Sequence, residues 1–145
     1  MIQRIQSIFL LLAALVFGSL FMVPFAISNE PGPMFLADGD YDIMDHPVLL
    51  GLTVVGVLVS LISIFLFRKR PVQLKLGYLI IVVAILLPII AFLLFTNASA
   101  GASADLLVQD QVGIFLPALA ILFSAIANYF IKKDDKLVKS MDRLR

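Results

Sequence analysis

The sequence predicts an all-α membrane protein: a four-transmembrane-helix bundle with both termini cytoplasmic. Three observations carry that expectation. The composition is 61% hydrophobic and 14% charged, with a mean hydropathy of +1.07. A soluble domain is nearer half apolar and a quarter charged. Four long apolar stretches recur along the chain, and the basic residues avoid two of the segments between them.

The stretches are 7–27, 47–67, 76–95 and 113–131, and none contains a charged residue. Each is roughly 20 residues, or about 30 Å of helix, which matches the hydrocarbon thickness of a bilayer. Backbone in lipid must satisfy its own hydrogen bonds, so the spans are predicted as helices. The first stretch follows Arg4 and invites comparison with a signal peptide. It exceeds the usual apolar core of about 7–15 residues, so it is read as a span. The remaining 132–145 form a cytoplasmic amphipathic tail, and the whole of 1–145 is one domain.

Orientation follows from the charges. Arg4 precedes the first span, and Arg68, Lys69, Arg70 and Lys75 separate the second from the third. Lys132, Lys133, Lys136, Lys139, Arg143 and Arg145 follow the fourth, which completes the 11 basic residues. Segments 28–46 and 96–112 hold none, but carry Glu30, Asp38, Asp40, Asp42, Asp45, Asp105 and Asp110. The positive-inside rule then puts both ends and 68–75 in the cytoplasm.

The first outer loop is punctuated by Pro31-Gly32-Pro33, and Asp38-Gly39 is a type I′ turn pair. Its flanks, 34–37 and 40–43, are expected either to pair as a short hairpin or to lie as an irregular loop on the membrane surface. Asp45-His46-Pro47 reads as a helix start with Pro47 at the first helical position. In the second outer loop, 97–104 reads as an Ala/Ser-rich linker. The segment 106–112 reads as a short interfacial helix or an early start of the fourth span.

Within lipid, helices associate through small residues that let backbones approach. Gly56 and Ser60 on the second span, and Ala120, Ser124 and Asn128 on the fourth, are the helix-packing candidates. Asn128 is the only strongly polar side chain inside a span, and it reads as an interhelical hydrogen bond. Pro24, Pro88 and Pro117 would mark a broken-helix transport site only with ionisable side chains at the same depth. Those are missing, so the prolines are read as kinks in packed helices. Proton relays and coupled transporters mark their paths with intramembrane charge.

Other chemistry is excluded on composition. The chain has no cysteine and one histidine, which removes disulfides, thiol relays and multi-histidine metal or haem sites. Asp38-Gly39-Asp40-Tyr41-Asp42 lacks the later Gly and Glu of a calcium loop. No serine has a nucleophile elbow, and no phosphate-cradling loop occurs. No catalytic residue, metal site or cofactor is expected, and no nucleic-acid partner.

The tail carries Leu137, Met141 and Leu144 at helical spacing among Lys136, Lys139, Asp142 and Arg143. With Arg4 these form the candidate contact surface for lipid or for a partner protein. Basic residues beside anionic lipid gain about 1 kcal/mol each. Asp134, Asp135 and Asp142 weaken that attraction and favour specific pairing.

Both ends resemble a small family of Bacteroidota membrane proteins catalogued as domain of unknown function 4293. The likeness lies in Met1-Ile2-Gln3-Arg4-Ile5-Gln6-Ser7 running into Leu10-Leu11-Leu12-Ala13-Ala14, and in the run from Asp135 to Arg145. Met141 stands where a smaller residue is expected. The resemblance implies a multi-pass protein of the bacterial inner (cytoplasmic) membrane, and supplies no catalytic residues. The expected role is a non-catalytic accessory or assembly subunit of a larger complex for translocation, insertion, secretion or respiration. Its partners would be membrane lipids and other integral membrane proteins. The alternative is a small transporter or channel for an apolar or lipid-like substrate.

Overall fold

A computed structural model describes residues 2–28, 39–99, 108–110 and 112–142, with side chains described for 5–27, 39–97 and 112–140. Four helices account for most of it: α1 (Ile2–Ser19), α2 (Pro47–Phe65), α3 (Arg70–Ser99) and α4 (Leu116–Asp142). Three segments are long and apolar enough to cross a membrane, namely Pro47–Phe65, Arg70–Asn97 and Val112–Ser140. In α1 the apolar part, Ile5–Ser19, is shorter.

The helices form an antiparallel ring in which each packs on its sequence neighbours and α4 closes against α1. One spacing runs through all four. Buried positions fall at 6, 10, 13 and 17 on α1 and at 20 just beyond it, and at 49, 53, 56, 60 and 63 on α2. They fall at 73, 77, 80, 84, 87 and 91 on α3, and at 117, 120, 124, 127 and 131 on α4. Alternating steps of four and three keep one stripe facing the centre, as in left-handed bundles. The outward faces are large and apolar, for example Leu58, Phe65, Val82, Phe92 and Leu122. Packing is therefore ordered by side-chain size rather than by polarity, as a lipid-facing bundle requires. Gly56 illustrates this: a Cβ there would lie 2.7 Å from the Phe17 ring.

The first helix ends earlier than the expected stretch 7–27. Pro24 removes a backbone donor and disfavours helix at the residue before it, and the helix has already ended at Ser19. After Ser19 the chain turns, with the amides of Leu20, Phe21 and Met22 bonded to the carbonyls of Phe17, Gly18 and Ser19. It then enters a strand, β1 (Ala26–Ser28). Two more strands flank it antiparallel, β2 (Asp40–Tyr41) and β3 (Val108–Asp110), in the order β2-β1-β3.

This sheet corrects one of the loop expectations. Asp40–Tyr41 pairs with Ala26 and Ile27, and the other expected hairpin flank, 34–37, lies outside the described residues. The turn residue Gly39 has φ 85, the left-handed region that its place beside Asp38 anticipates. Part of 106–112 is strand rather than helix, because the edge of β1 offers Val108–Asp110 a ladder partner. A 3₁₀ turn, Val112–Phe115, then leads into α4. α3 continues to Ser99, into the linker expected at 97–104, the rest of which lies outside the described residues.

Elsewhere the boundaries follow local rules. His46 caps α2, its Nδ1 accepting from the Val48 amide at 3.2 Å, with Pro47 next in the first turn. Asp42 and Asp45 close the preceding turn by accepting the amides of Met44 and Asp42 at 2.6 and 2.7 Å. α3 passes through Pro88 without ending. α4 is one continuous helix from the bundle into the tail.

Candidate functional site

Two features stand apart from the apolar packing, one at each end of the bundle. At the end opposite the sheet, the central stripe turns polar. Gln6 of α1 and Gln73 of α3 are both fully buried, with Gln6 Nε2 donating to Gln73 Oε1 at a long 3.5 Å. Gln73 Nε2 donates to the Ser63 carbonyl at 3.0 Å. That carbonyl lies in the last turn of α2 and also accepts the Leu66 amide at 3.3 Å, so Gln73 adds a second donor that ties the helix end to α3. One turn along α3, Gly77 makes room for Asn128 of α4, since a Cβ at 77 would overlap the Asn128 amide.

The cluster is incompletely paired. Gln6 Oε1, Ser63 Oγ, Ser124 Oγ and both amide atoms of Asn128 are buried with no hydrogen-bond partner among the described residues. An orphaned buried polar atom costs about 1–3 kcal/mol, so five of them are a substantial cost in a small bundle. Ser60 avoids it by donating back to the Gly56 carbonyl at 2.7 Å. Among the described residues Asn128 does not make the interhelical hydrogen bond expected of it, and the residue its amide meets on α3, Gly77, has no side chain to offer one.

At the sheet end lies an apolar cavity of about 190 Å³ between the strands and α3. Its walls include Phe25, Tyr41, Pro88, Phe92, Phe95 and Ile114. Tyr41 is held there by donating its hydroxyl to the Ala91 carbonyl at 2.8 Å, and its ring lies against Phe25 and Phe95. Burial, with a smaller contribution from Asp45, pushes the Tyr41 phenol up from 10.0 to about 12.

The expected packing residues Gly56, Ser60, Ala120, Ser124 and Asn128 are all buried inside the chain's own bundle. Their faces are thus spent on internal packing. Of the expected contact residues, Lys136, Leu137 and Lys139 are exposed on the α4 extension. The side chains of Arg4, Met141 and Asp142, and all of Arg143 and Leu144, lie outside the described residues. Two acids that favoured specific pairing are engaged within the chain. Asp134 meets Arg70 at 2.7 Å, and Asp135 meets Lys139 at 2.6 Å.

Gln6 and Gln73 were missed by the sequence reading, because each lies just outside an apolar stretch. The four-three spacing would have found them: Gln6 leads into Leu10, Ala13 and Phe17, and Gln73 into Gly77, Ile80 and Ala84. Among the described residues no group of three or more His, Cys, Asp or Glu is arranged to hold a metal ion.

Fold and site together describe a helical protein of membrane type, with a small sheet at one end of the bundle and a polar seam at the other. The chain belongs to the family described as Domain of unknown function (DUF4293), whose model matches residues 2–144. No curated protein and no solved structure matches it.

Proposed function

We propose that the chain crosses a bacterial inner membrane four times, with both termini and the 66–69 turn in the cytoplasm. It serves there as a non-catalytic accessory or assembly subunit of a larger complex. The charge partition supports the orientation: the sheet end has no Lys or Arg, and the other end carries all of them. α1 supports the fourth crossing, since it packs along both α2 and α4 and so shares their depth.

The observation that carries the subunit role is α4. It runs unbroken from the bundle centre to Asp142, about two turns beyond the Arg70–Asp134 pair. That extension displays Leu137, 46% exposed, among Lys133, Lys136 and Lys139. A rigid helix bearing an apolar residue ringed by cations is a docking element continuous with the membrane core. Purification in mild detergent followed by mass spectrometry should recover a stoichiometric membrane partner, lost on Leu137→Asp. A partner-free monomer or homodimer would refute the role.

The cavity beside Tyr41 favours a second reading, a carrier or sensor of an apolar lipid-like molecule. A photoactivatable acyl chain that crosslinks to Phe92 and is displaced by Ala91→Trp would support it. Crosslinking spread evenly over the lipid-facing surface would remove it.

A further inference from the structure

We infer that the polar half of the central seam is a binding site for water, held in common by the four helices. Gln6, Ser63 and Ser124 are 0% exposed and Asn128 is 4% exposed, and together they present five nitrogen and oxygen atoms without a partner among the described residues. The four residues come from three helices, and Gln73 of α3 joins the Gln6 and Ser63 ends of the group. Buried polar groups in native proteins are paired, and where protein supplies no partner ordered water does, making about two to four bonds per molecule.

The chemistry of the cluster selects the ligand. Amides and hydroxyls both donate and accept, and none of these side chains carries a charge, so the site suits a small neutral molecule that does both. Water is the smallest molecule that does both, and it is the partner that buried polar groups take where protein supplies none. The residues fall in two groups one helical turn apart along α3, at the levels of Gln73 and Gly77. Each level offers both donors and acceptors: Gln6 Oε1 with Ser63 Oγ, and the Asn128 amide with Ser124 Oγ, one turn away on the same helix. Towards the sheet the site is closed by the Phe17 ring against Gly56, and beyond that the stripe is apolar at Leu20 and Leu87. Water here joins helices whose outward faces are interchangeable, and so fixes their register by hydrogen bonds that apolar packing alone does not specify.

Water-edited solid-state NMR on the full-length protein in lipid bilayers tests this directly. The side-chain amides of Asn128 and Gln6 should receive water magnetisation nearly as fast as exposed Asn97, and several-fold faster than the buried Leu87 methyls. Build-up at Asn128 as slow as at Leu87 would overturn the inference. Asn128→Leu, which roughly keeps the volume, provides a second reading. Loss of water-mediated bonds should lower the thermal midpoint by about 5 °C or more, whereas a rise would mark a dry orphan amide and contradict the proposal. Should that variant fail to fold, the wild-type spectrum decides alone.

Discussion

The two ends of the bundle are built from the same four helices on the same four-three spacing, yet they are held in different ways. Towards the sheet, buried polar atoms are paired within the protein: Tyr41 donates to the Ala91 carbonyl at 2.8 Å, and Thr53 to the Leu49 carbonyl at 2.9 Å. At the opposite end five buried side-chain atoms have no such partner. The sheet end is a jigsaw fixed by backbone contact and aromatic packing. The basic end is a set of adaptable side chains.

Glycine substitutions probe that contrast most strongly. A Cβ at Gly113 would overlap the Pro24 carbonyl, which is backbone and tied to β1. Gly113→Ala should therefore cost about 3 kcal/mol, the upper range for overpacking. A Cβ at Gly77 meets only the end of the Asn128 side chain. Gly77→Ala should cost about 1 kcal/mol, because an amide can swing aside. Denaturation of both variants in one detergent measures the difference. Equal costs would show that the two ends are packed alike.

Tyr41 sharpens the comparison with pH. Its folded pKa of about 12 exceeds the ordinary 10.0 through burial and then Asp45, so the folded state holds the proton more tightly. The resulting stability is fully present below pH 10 and declines as pH rises from 10 to 12. Tyr41→Phe should abolish that decline while costing about 1 kcal/mol at neutral pH through loss of the Ala91 bond. A decline that persists in the variant would assign it to another group.

The smallest effect is expected at the Arg70–Asp134 pair, whose side chains are 20% and 13% exposed. Arg70→Gln should cost about 1 kcal/mol or less, and salt should weaken the pair further. A larger loss would mean that this contact, rather than the buried seam, anchors α4 to α3.

Much of the helical layout was legible because lipid imposes length and composition directly. Pro47 and His46 gave the start of α2 for local reasons, whereas α3 begins at Arg70, ahead of the apolar stretch 76–95. The sheet was not legible. Its strands are two or three residues long, come from three separate segments and are joined by long-range pairing, which no local pattern encodes. Gly56, Ser124 and Asn128 could be picked out as small or polar residues, but not assigned to internal rather than external contact. Gln6 and Gln73 hid because a hydropathy window ends at the first polar residue. A seam defined by spacing continues through it.

The account depends most on the two ends facing opposite sides of a membrane, and the absence of native cysteine makes that directly measurable. Single cysteines at Met44, Lys69 and Ser140, all exposed positions, report the sheet end, the basic turn and the α4 extension. In intact spheroplasts an impermeant maleimide should label only Met44→Cys, with Lys69→Cys and Ser140→Cys reacting after lysis. Labelling of Ser140→Cys before lysis would contradict the four-span, ends-inside arrangement.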